Sequence, residues 1–341
     1  MKIKTGIIAS IVLFAYIVAA APLSAGTLKD LFTAATLSNQ DYSVYELELE
    51  LAQLKKTKGE IEAKVELDRL NAQNSYTSAL ASYRRSVLSF YNEVIDAAFA
   101  AATAEQDLEY VGLSLQNAQV DKDYADTRFK NGLISEDVYK EIQIAYKTVS
   151  NTYDLAAWTL LDAKNVFFLA TGREWDSSFL PEVPDFTFDA SAEDWLSKDT
   201  SLEIARLAIK IQELKTALLA TNASAYDKRI QETENLKAKV SYANAESDAK
   251  RSFESMSITL RNQAALLQIR SDEYVLDESS FQDALRQYEK GIISQGDKNQ
   301  KAMTLLTARK NLLSARKNYI KSIGSCLSGL GENPLGLYDG I

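Results

Sequence analysis

The sequence predicts an all-α protein built from two copies of a long helical hairpin with coiled-coil packing and little or no β-structure. Three observations favour this fold class. Helix-breaking residues are scarce, since only 13 of 341 residues are Gly and 4 are Pro. Landmarks in the first half recur in the second half at nearly constant spacing. The segments that follow the hairpin turns carry a seven-residue apolar repeat.

Helix-forming residues dominate the long stretches between breakers. Ala, Leu, Lys, Glu and Gln are frequent there, and all five have high intrinsic helix propensity. The prolines at positions 22, 181, 184 and 334 lie in the leader, between the helical patterns or after them. Long helices are therefore favoured over many short strands.

An internal duplication is the strongest pattern. RFKNGLIS at 128–135 recurs as QYEKGIIS at 287–294, which places Gly132 and Gly291 at an offset of 159. Gly172 and Gly331 are separated by the same offset, and DYS at 41–43 matches DTS at 199–201 at an offset of 158. We therefore predict a signal peptide at 1–25, repeats at 27–180 and 186–341, and a linker at 181–185.

A heptad follows each turn glycine. In the second half the apolar pairs begin at positions 305, 312, 319 and 326, with Ala308, Ala315, Ser322 and Gly329 between them. The first half has Tyr146, Tyr153, Leu160 and Phe167 at the matching places. Sustained heptads indicate supercoiled packing against a partner helix, and small residues allow close approach. An ordinary helix bundle shows the same pattern over shorter lengths.

Each half is predicted to turn sharply at its glycine. Gly132 and Gly291 supply the positive φ that ends a helix. Ser135 and Ser294 are candidate N-caps, and Asp297 stands where a capping box needs an acidic residue. The tips carry the aliphatic pairs Leu133-Ile134 and Ile292-Ile293. These pairs indicate either a docking contact or packing across the turn.

The start of the chain resembles a signal peptide. Lys2 and Lys4 precede an apolar run at 6–21, followed by small residues at 24–26. An uncleaved anchor is the alternative, because the run approaches the length of a spanning helix. The sequence thus predicts an exported protein.

Composition excludes several functions. The formal net charge of −9 argues against nucleic acid as a partner. The chain has no His and a single Cys, Cys326, so zinc sites, His-based triads and thiol proteases are excluded and no cofactor is indicated. Carboxylate pairs such as Glu46/Glu50 are interpreted as solvated helix faces rather than as an acid–base pair. We therefore expect no enzyme.

These features together resemble the TolC-like outer-membrane efflux factors. That family is a duplicated chain with an aromatic, Gly, aliphatic, Ser/Thr and Asp motif at each hairpin tip, followed by a long Ala-rich helix. The second copy here matches at Tyr288, Gly291, Ile292, Ser294, Asp297, Ala308, Ala315, Leu330 and Gly331. The first copy matches at Phe129, Gly132, Leu133 and Ser135, with Asp137 one residue early. TLKDLF at 27–32 resembles the opening helix of the family, and AEDWL at 192–196 resembles its counterpart.

The resemblance implies a homotrimer that forms a helical tunnel in the periplasm of a diderm bacterium. Its hairpin tips would dock on a periplasmic adaptor, or membrane-fusion, protein of an efflux pump or a type I secretion system, and small molecules or proteins would be exported. Family members also carry a β-hairpin in each half that contributes to a membrane barrel. The spans from Asp41 to Gly132 and from Asp199 to Gly291 cover only 91 and 92 positions and have helical patterns throughout. We therefore expect the hairpins to be absent and leave membrane association open.

Two further interpretations follow from the same residues. The KTKGEIEAK stretch around Gly59 and the ATNAS stretch at 220–224 are candidate turns, and DFTFD at 185–189 is strand-like. The absence of membrane strands also favours an alternative function, a non-conducting structural coiled-coil protein of the periplasm that derives from an efflux factor.

Overall fold

The computed structural model describes residues 28–177, 180, 182–220 and 222–338. Within these ranges the chain forms eight α-helices and a C-terminal 3-10 helix, and no residue is in a β-strand, so the all-α prediction is confirmed. The helices are α1 (Leu28–Ser38), α2 (Gln40–Glu62), α3 (Glu66–Lys130), α4 (Glu136–Thr171), α5 (Ala192–Lys198), α6 (Thr200–Ala217), α7 (Ala225–Glu289) and α8 (Gln295–Gly329), and the 3-10 helix is Pro334–Tyr338. The predicted signal peptide lies outside the described residues.

The long helices lie side by side as an open sheet of helices. We call the end with the turns at Gly132 and Gly291 the tip end. Helix α3 is central, because it packs along α4 and α8 in the half nearer the tip end and along α2 and α6 in the other half. Helices α2 and α4 form one edge of the sheet. Helix α7, which packs along α8 and α6, forms the other edge. Helices α4 and α7 therefore have one flank that no described helix of the same chain covers.

Contacts between α3 and α8 join the two hairpins. The buried Tyr91 hydroxyl donates to the carbonyl of Ile320 at 3.0 Å. Nearer the tips, the Asn299 side chain, which is 0% exposed, donates to the Asn117 amide oxygen at 2.8 Å. The two helices are antiparallel, and these two hydrogen bonds fix the position of α8 along α3.

The main core lies halfway along the sheet, where α1, α3 and α4 meet the C-terminal end of α8. Tyr91 stacks on Phe32 with ring centroids 4.9 Å apart. Gly324 and Gly329 admit the rings of Tyr91 and Trp195, because a Cβ at either position would overlap the ring. Glycine at these two positions therefore allows the rings to lie against the backbone of α8.

Burial of the two heptads differs. On α8 both the apolar pairs and Ala308, Ala315 and Ser322 are buried. On α4 only the end of the pattern, at Phe167 and Ala170, is buried. The reason is position, since α8 lies between α3 and α7 whereas α4 has one long partner.

The spans that precede each tip are helical, as predicted. The candidate turn in the KTKGEIEAK stretch falls at its end, because the chain reverses at 63–65, while Gly59 itself belongs to α2 and faces Ala72 on α3. The turn predicted at 220–224 lies between α6 and α7. The strand interpretation of 185–189 was wrong, because Phe186 and Phe188 pack separately against a cluster around Leu260 instead of pairing with another strand.

None of the helices in the described ranges combines the length and apolarity that crossing a membrane requires.

Candidate docking site at the hairpin tips

Both tip glycines adopt the left-handed conformation that the sequence predicts, with φ of 70° at Gly132 and 69° at Gly291. The next residue closes the turn, because Leu133 N–H donates to Arg128 at 2.8 Å and Ile292 N–H donates to Gln287 at 2.9 Å. This is the Schellman arrangement, in which glycine ends the helix without a Cβ clash. The two tips therefore have the same backbone geometry.

Serine caps start the returning helices. Ser294 Oγ accepts from Asp297 N–H at 3.1 Å, and Ser294 N–H donates to the Asp297 carboxylate at 3.1 Å, which confirms the capping box. Hydrogen bonds from Ser294 lower the pKa of Asp297. Ser135 Oγ accepts from Val138 N–H at 3.4 Å, and no carboxylate returns the bond because Asp137 is one residue early.

Each predicted aliphatic pair divides between two environments. Leu133 and Ile292 are 63% and 67% exposed at the apex. Ile134 and Ile293 are less exposed and line a groove behind the turn. Packing across the turn thus accounts for the second residue of each pair, while the first residue is available to a partner. The docking role remains a prediction.

The predicted aromatic residues brace the tips in different ways. Phe129 stacks on Tyr139 of α4 with ring centroids 4.4 Å apart and planes inclined by 1°. In the second hairpin the ammonium group of Lys298 lies 4.8 Å from the centroid of the Tyr288 ring. The aromatic stack in the first hairpin and the cation–π contact in the second hairpin therefore occupy equivalent positions.

A polar network that the sequence alone did not indicate supports the first tip. Lys122 Nζ lies 3.0 Å from the Asp126 carboxylate, which also accepts a hydrogen bond from the Tyr139 hydroxyl. The bond from Lys122 is the main reason that the pKa of Asp126 is lowered. Lys122 and Asp126 are four residues apart on α3, a spacing that was the only signal available in the sequence.

A groove lies behind each tip. The first groove runs between residues 118–128 of α3 and 134–146 at the start of α4, with a volume of about 300 Å³. The second groove runs between residues 276–287 of α7 and 293–301 at the start of α8, with a volume of about 530 Å³. Neither was predicted, because a groove depends on the distance between helices rather than on one residue.

The two flanks of the helical sheet form long exposed apolar rows. The first edge is the row on α2, the following turn and α4, comprising Val44, Leu47, Leu51, Leu54, Ile61, Val65, Ile144, Leu155, Trp158 and Leu169. The second edge is the row on α7, comprising Tyr226, Ile230, Val240, Ile258, Ile269 and Leu276. In each row the side chains lie on the side of the helix away from its buried residues, as in a coiled-coil seam without its partner.

Comparison with solved structures identifies the class of fold. No protein-family model matches the chain, and no curated protein matches it by sequence. The OprN outer-membrane channel matches 92% of this chain and 92% of its own, with a TM-score of 0.59 and 11% identity. The CmeC channel of Campylobacter jejuni matches 91% and 86% (TM-score 0.58, 11% identity). The MtrE channel of Neisseria gonorrhoeae in its open state matches 90% and 89% (TM-score 0.57, 12% identity).

These likenesses show the fold. The chain has the helical fold of TolC-family outer-membrane channels, as its tip motifs indicated.

Proposed function

We propose that the protein is a subunit of an export tunnel in the envelope of a diderm bacterium. Copies of the chain close side by side into a ring, and the hairpin tips dock on a periplasmic adaptor of an efflux pump or type I secretion system. The ring has three subunits, the number that the family resemblance implies. The observation that carries the proposal is the pair of apolar edges, which fit each other but have no partner among the described residues of one chain.

The two edges have similar length. Helix α4 ends where α1 meets α2, since a Cβ at Gly172 would contact Ser38. Helices α4 and α2 thus continue one another along the edge, with 36 and 23 residues, and face the 65 residues of α7 on the other side. At about 1.5 Å per residue both edges span roughly 90–100 Å.

Apolar residues on the two edges also lie at similar heights. Four contacts relate the heights of α2, α3, α6 and α7, namely Lys56 over Tyr76, Arg84 to the Lys198 carbonyl, Gln231 to Gln212 and Lys239 to Glu213. The midpoint of the last two contacts places Leu54 about one turn from Val240. It places Ile61 level with Leu236, which is also exposed.

Rotation about a tunnel axis preserves height, so level residues meet when a second copy is placed beside the first. This contact joins two different surfaces, and such contacts form a ring when the rotation between copies closes. It buries apolar side chains that are otherwise in water, which favours assembly.

Paired cysteines test the ring. Leu54→Cys with Val240→Cys joins positions at similar height, and Leu54→Cys with Leu276→Cys is the control with positions far apart in height. Under mild oxidation we expect the first pair to give dimers and trimers on a denaturing gel and the control pair to give monomers. A monomeric mass by light scattering, together with no difference between the pairs, would contradict the proposal.

Export is tested separately in cells. Deleting the gene should raise the retention of a fluorescent efflux substrate or block secretion of a type I substrate, and the wild-type chain should restore it. Unchanged export of every substrate class, with a ring still present, would favour the non-conducting structural alternative.

A further inference from the structure

The two hairpin tips lie at different heights. Helix α3 continues for thirteen positions beyond Asn117, to Lys130, whereas α8 begins only four positions before Asn299, the hydrogen-bond partner of Asn117. The difference of nine positions corresponds to about 13 Å along the helix axes. The contact between Ser114 and Met303 gives a similar offset. The first hairpin therefore projects beyond the second.

The two grooves differ in chemistry although their backbones correspond. Ala118, Tyr124, Ile142 and Tyr146 give the first groove an apolar and aromatic lining. At the repeat offset of 159, Asp283 replaces Tyr124, Asp297 replaces Val138 and Lys301 replaces Ile142. The first groove therefore suits an apolar ridge, and the second suits polar groups.

The lower part of the first groove stays open when the ring closes. The neighbouring α7 has the same height as the chain's own α7, so it ends about 13 Å above the first tip. The contact of Lys122 with the Tyr146 ring relates heights on α3 and α4, and it places Ile134, Val138 and Ile142 beyond that end. A copy of the chain therefore does not cover these residues.

Charged side chains lie at the two ends of the first groove. Asp121 and Arg128 both line it, and Arg128 lies over the ring of Tyr124. They are seven residues apart, so they lie on the same face of α3 with a separation of about 10 Å. A helix lying along the groove meets them with a basic and an acidic side chain two turns apart.

We propose that the first groove is the principal docking site for one helix of a partner hairpin. This helix carries a ridge of Ala, Leu or Ile, bordered by a basic residue facing Asp121 and an acidic residue facing Arg128. The inference rests on the proposed function and adds the chemistry of the partner and the inequality of the two tips.

A designed peptide tests the groove directly. The probe is a fluorescein-labelled two-helix hairpin with an Ala/Leu ridge and with Lys and Glu seven residues apart, and a second peptide has Lys and Glu exchanged. Fluorescence anisotropy measures binding to the purified chain lacking residues 1–25. We expect the exchanged peptide to bind about tenfold more weakly, because both charged contacts become repulsive.

Matched variants separate the two grooves. Ala145 lines the first groove, and Thr304 is the exposed residue 159 positions later beside the second groove. Ala145→Glu should weaken binding of the first peptide by about tenfold or more, because it places a charge in the apolar contact. Thr304→Glu should change it by less than about twofold. Asp121→Lys combined with Arg128→Glu should invert the preference between the peptides.

The peptide and variant measurements either support the inference or overturn it. Absence of binding by either peptide, equal losses in the Ala145 and Thr304 variants, or an unchanged preference in the double variant would overturn it. The cysteine cross-links report on the ring independently. A ring with equal response of both grooves would overturn only this inference, and peptide discrimination without a ring would overturn only the tunnel.

Discussion

A methyl group added at Gly324 should destabilise the junction between the two hairpins. Gly324 lies inside α8, in the part near its C-terminal end, and Ala is normally preferred over Gly within a helix by about 1 kcal/mol. Here a Cβ would lie 2.7 Å from Cδ1 of Tyr91. The sign of the effect therefore depends on whether the Tyr91 ring can move.

The structure holds this ring in place from three directions. Tyr91 is 0% exposed, it stacks on Phe32, and its hydroxyl donates to Ile320. Overpacking of a filled core costs about 1–3 kcal/mol, and a restrained ring places the cost near the upper end. Subtracting the propensity gain, we expect Gly324→Ala to lower the free energy of unfolding by about 1–2 kcal/mol.

A double-mutant cycle isolates the contact. In a Tyr91→Leu background the space is vacated, so Gly324→Ala should be neutral or stabilising, with a coupling of about 2 kcal/mol. Urea unfolding followed by circular dichroism measures each variant, with the dependence on urea unchanged. Gly296→Ala is the control on the same helix, because its Cβ would make only an ordinary 3.6 Å contact. An equal loss in both backgrounds would refute the argument.

Three further predictions concern caps, titration and assembly. Ser294→Ala should cost about 1 kcal/mol in urea unfolding by removing the cap on Asp297 N–H, and an unchanged midpoint would contradict the cap. Burial raises the pKa of Glu109 in the folded chain, so its ionisation opposes folding at neutral pH. Glu109→Gln should therefore raise the melting temperature at pH 7. The difference in melting temperature from wild type should shrink as the pH falls from the raised pKa of folded Glu109 towards its pKa in the unfolded chain. A difference that does not change with pH would contradict this direction of the pKa shift. Trp158, 71% exposed on the first edge, should be dispensable for folding but not for the ring, so Trp158→Ala should leave monomer unfolding unchanged and raise the ring's dissociation constant by about tenfold or more in light scattering.

Local chemistry explains why much of the fold could be predicted from the sequence. Gly132 and Gly291 have the positive φ that was predicted for them, and Gly172 and Gly331, at the ends of the returning helices, share it. The preference of glycine for this conformation is a property of the residue itself, so sequence suffices to find it. The serine caps were predictable for the same reason.

Features that depend on the distance between helices could not be predicted. Gly59 is a turn candidate by composition, yet it serves a close approach of α2 to Ala72 on α3. Phe186 and Phe188 alternate with polar residues as in a strand, but each finds an apolar contact on the helices instead. The grooves, the unequal heights of the tips and the Lys122–Asp126–Tyr139 network likewise follow from packing. The exposed tip residues Leu133 and Ile292 were located correctly, while their docking role awaits experiment.

The buried amide pair Asn117–Asn299 helps to fix the register of α8 along α3 at the tip end. Sliding α8 along α3 by one heptad keeps apolar residues facing apolar residues, so apolar packing alone tolerates several registers. Such a slip would separate the two amides and leave the fully buried Asn299 without this partner, at a cost of about 1–3 kcal/mol. Moving this pair by one heptad on a single helix would change the height difference between the tips by about 10 Å, which is most of the observed difference of about 13 Å. This pair, together with the Tyr91–Ile320 contact, therefore fixes how far the first hairpin projects, and a few substitutions far from the tips would change that distance.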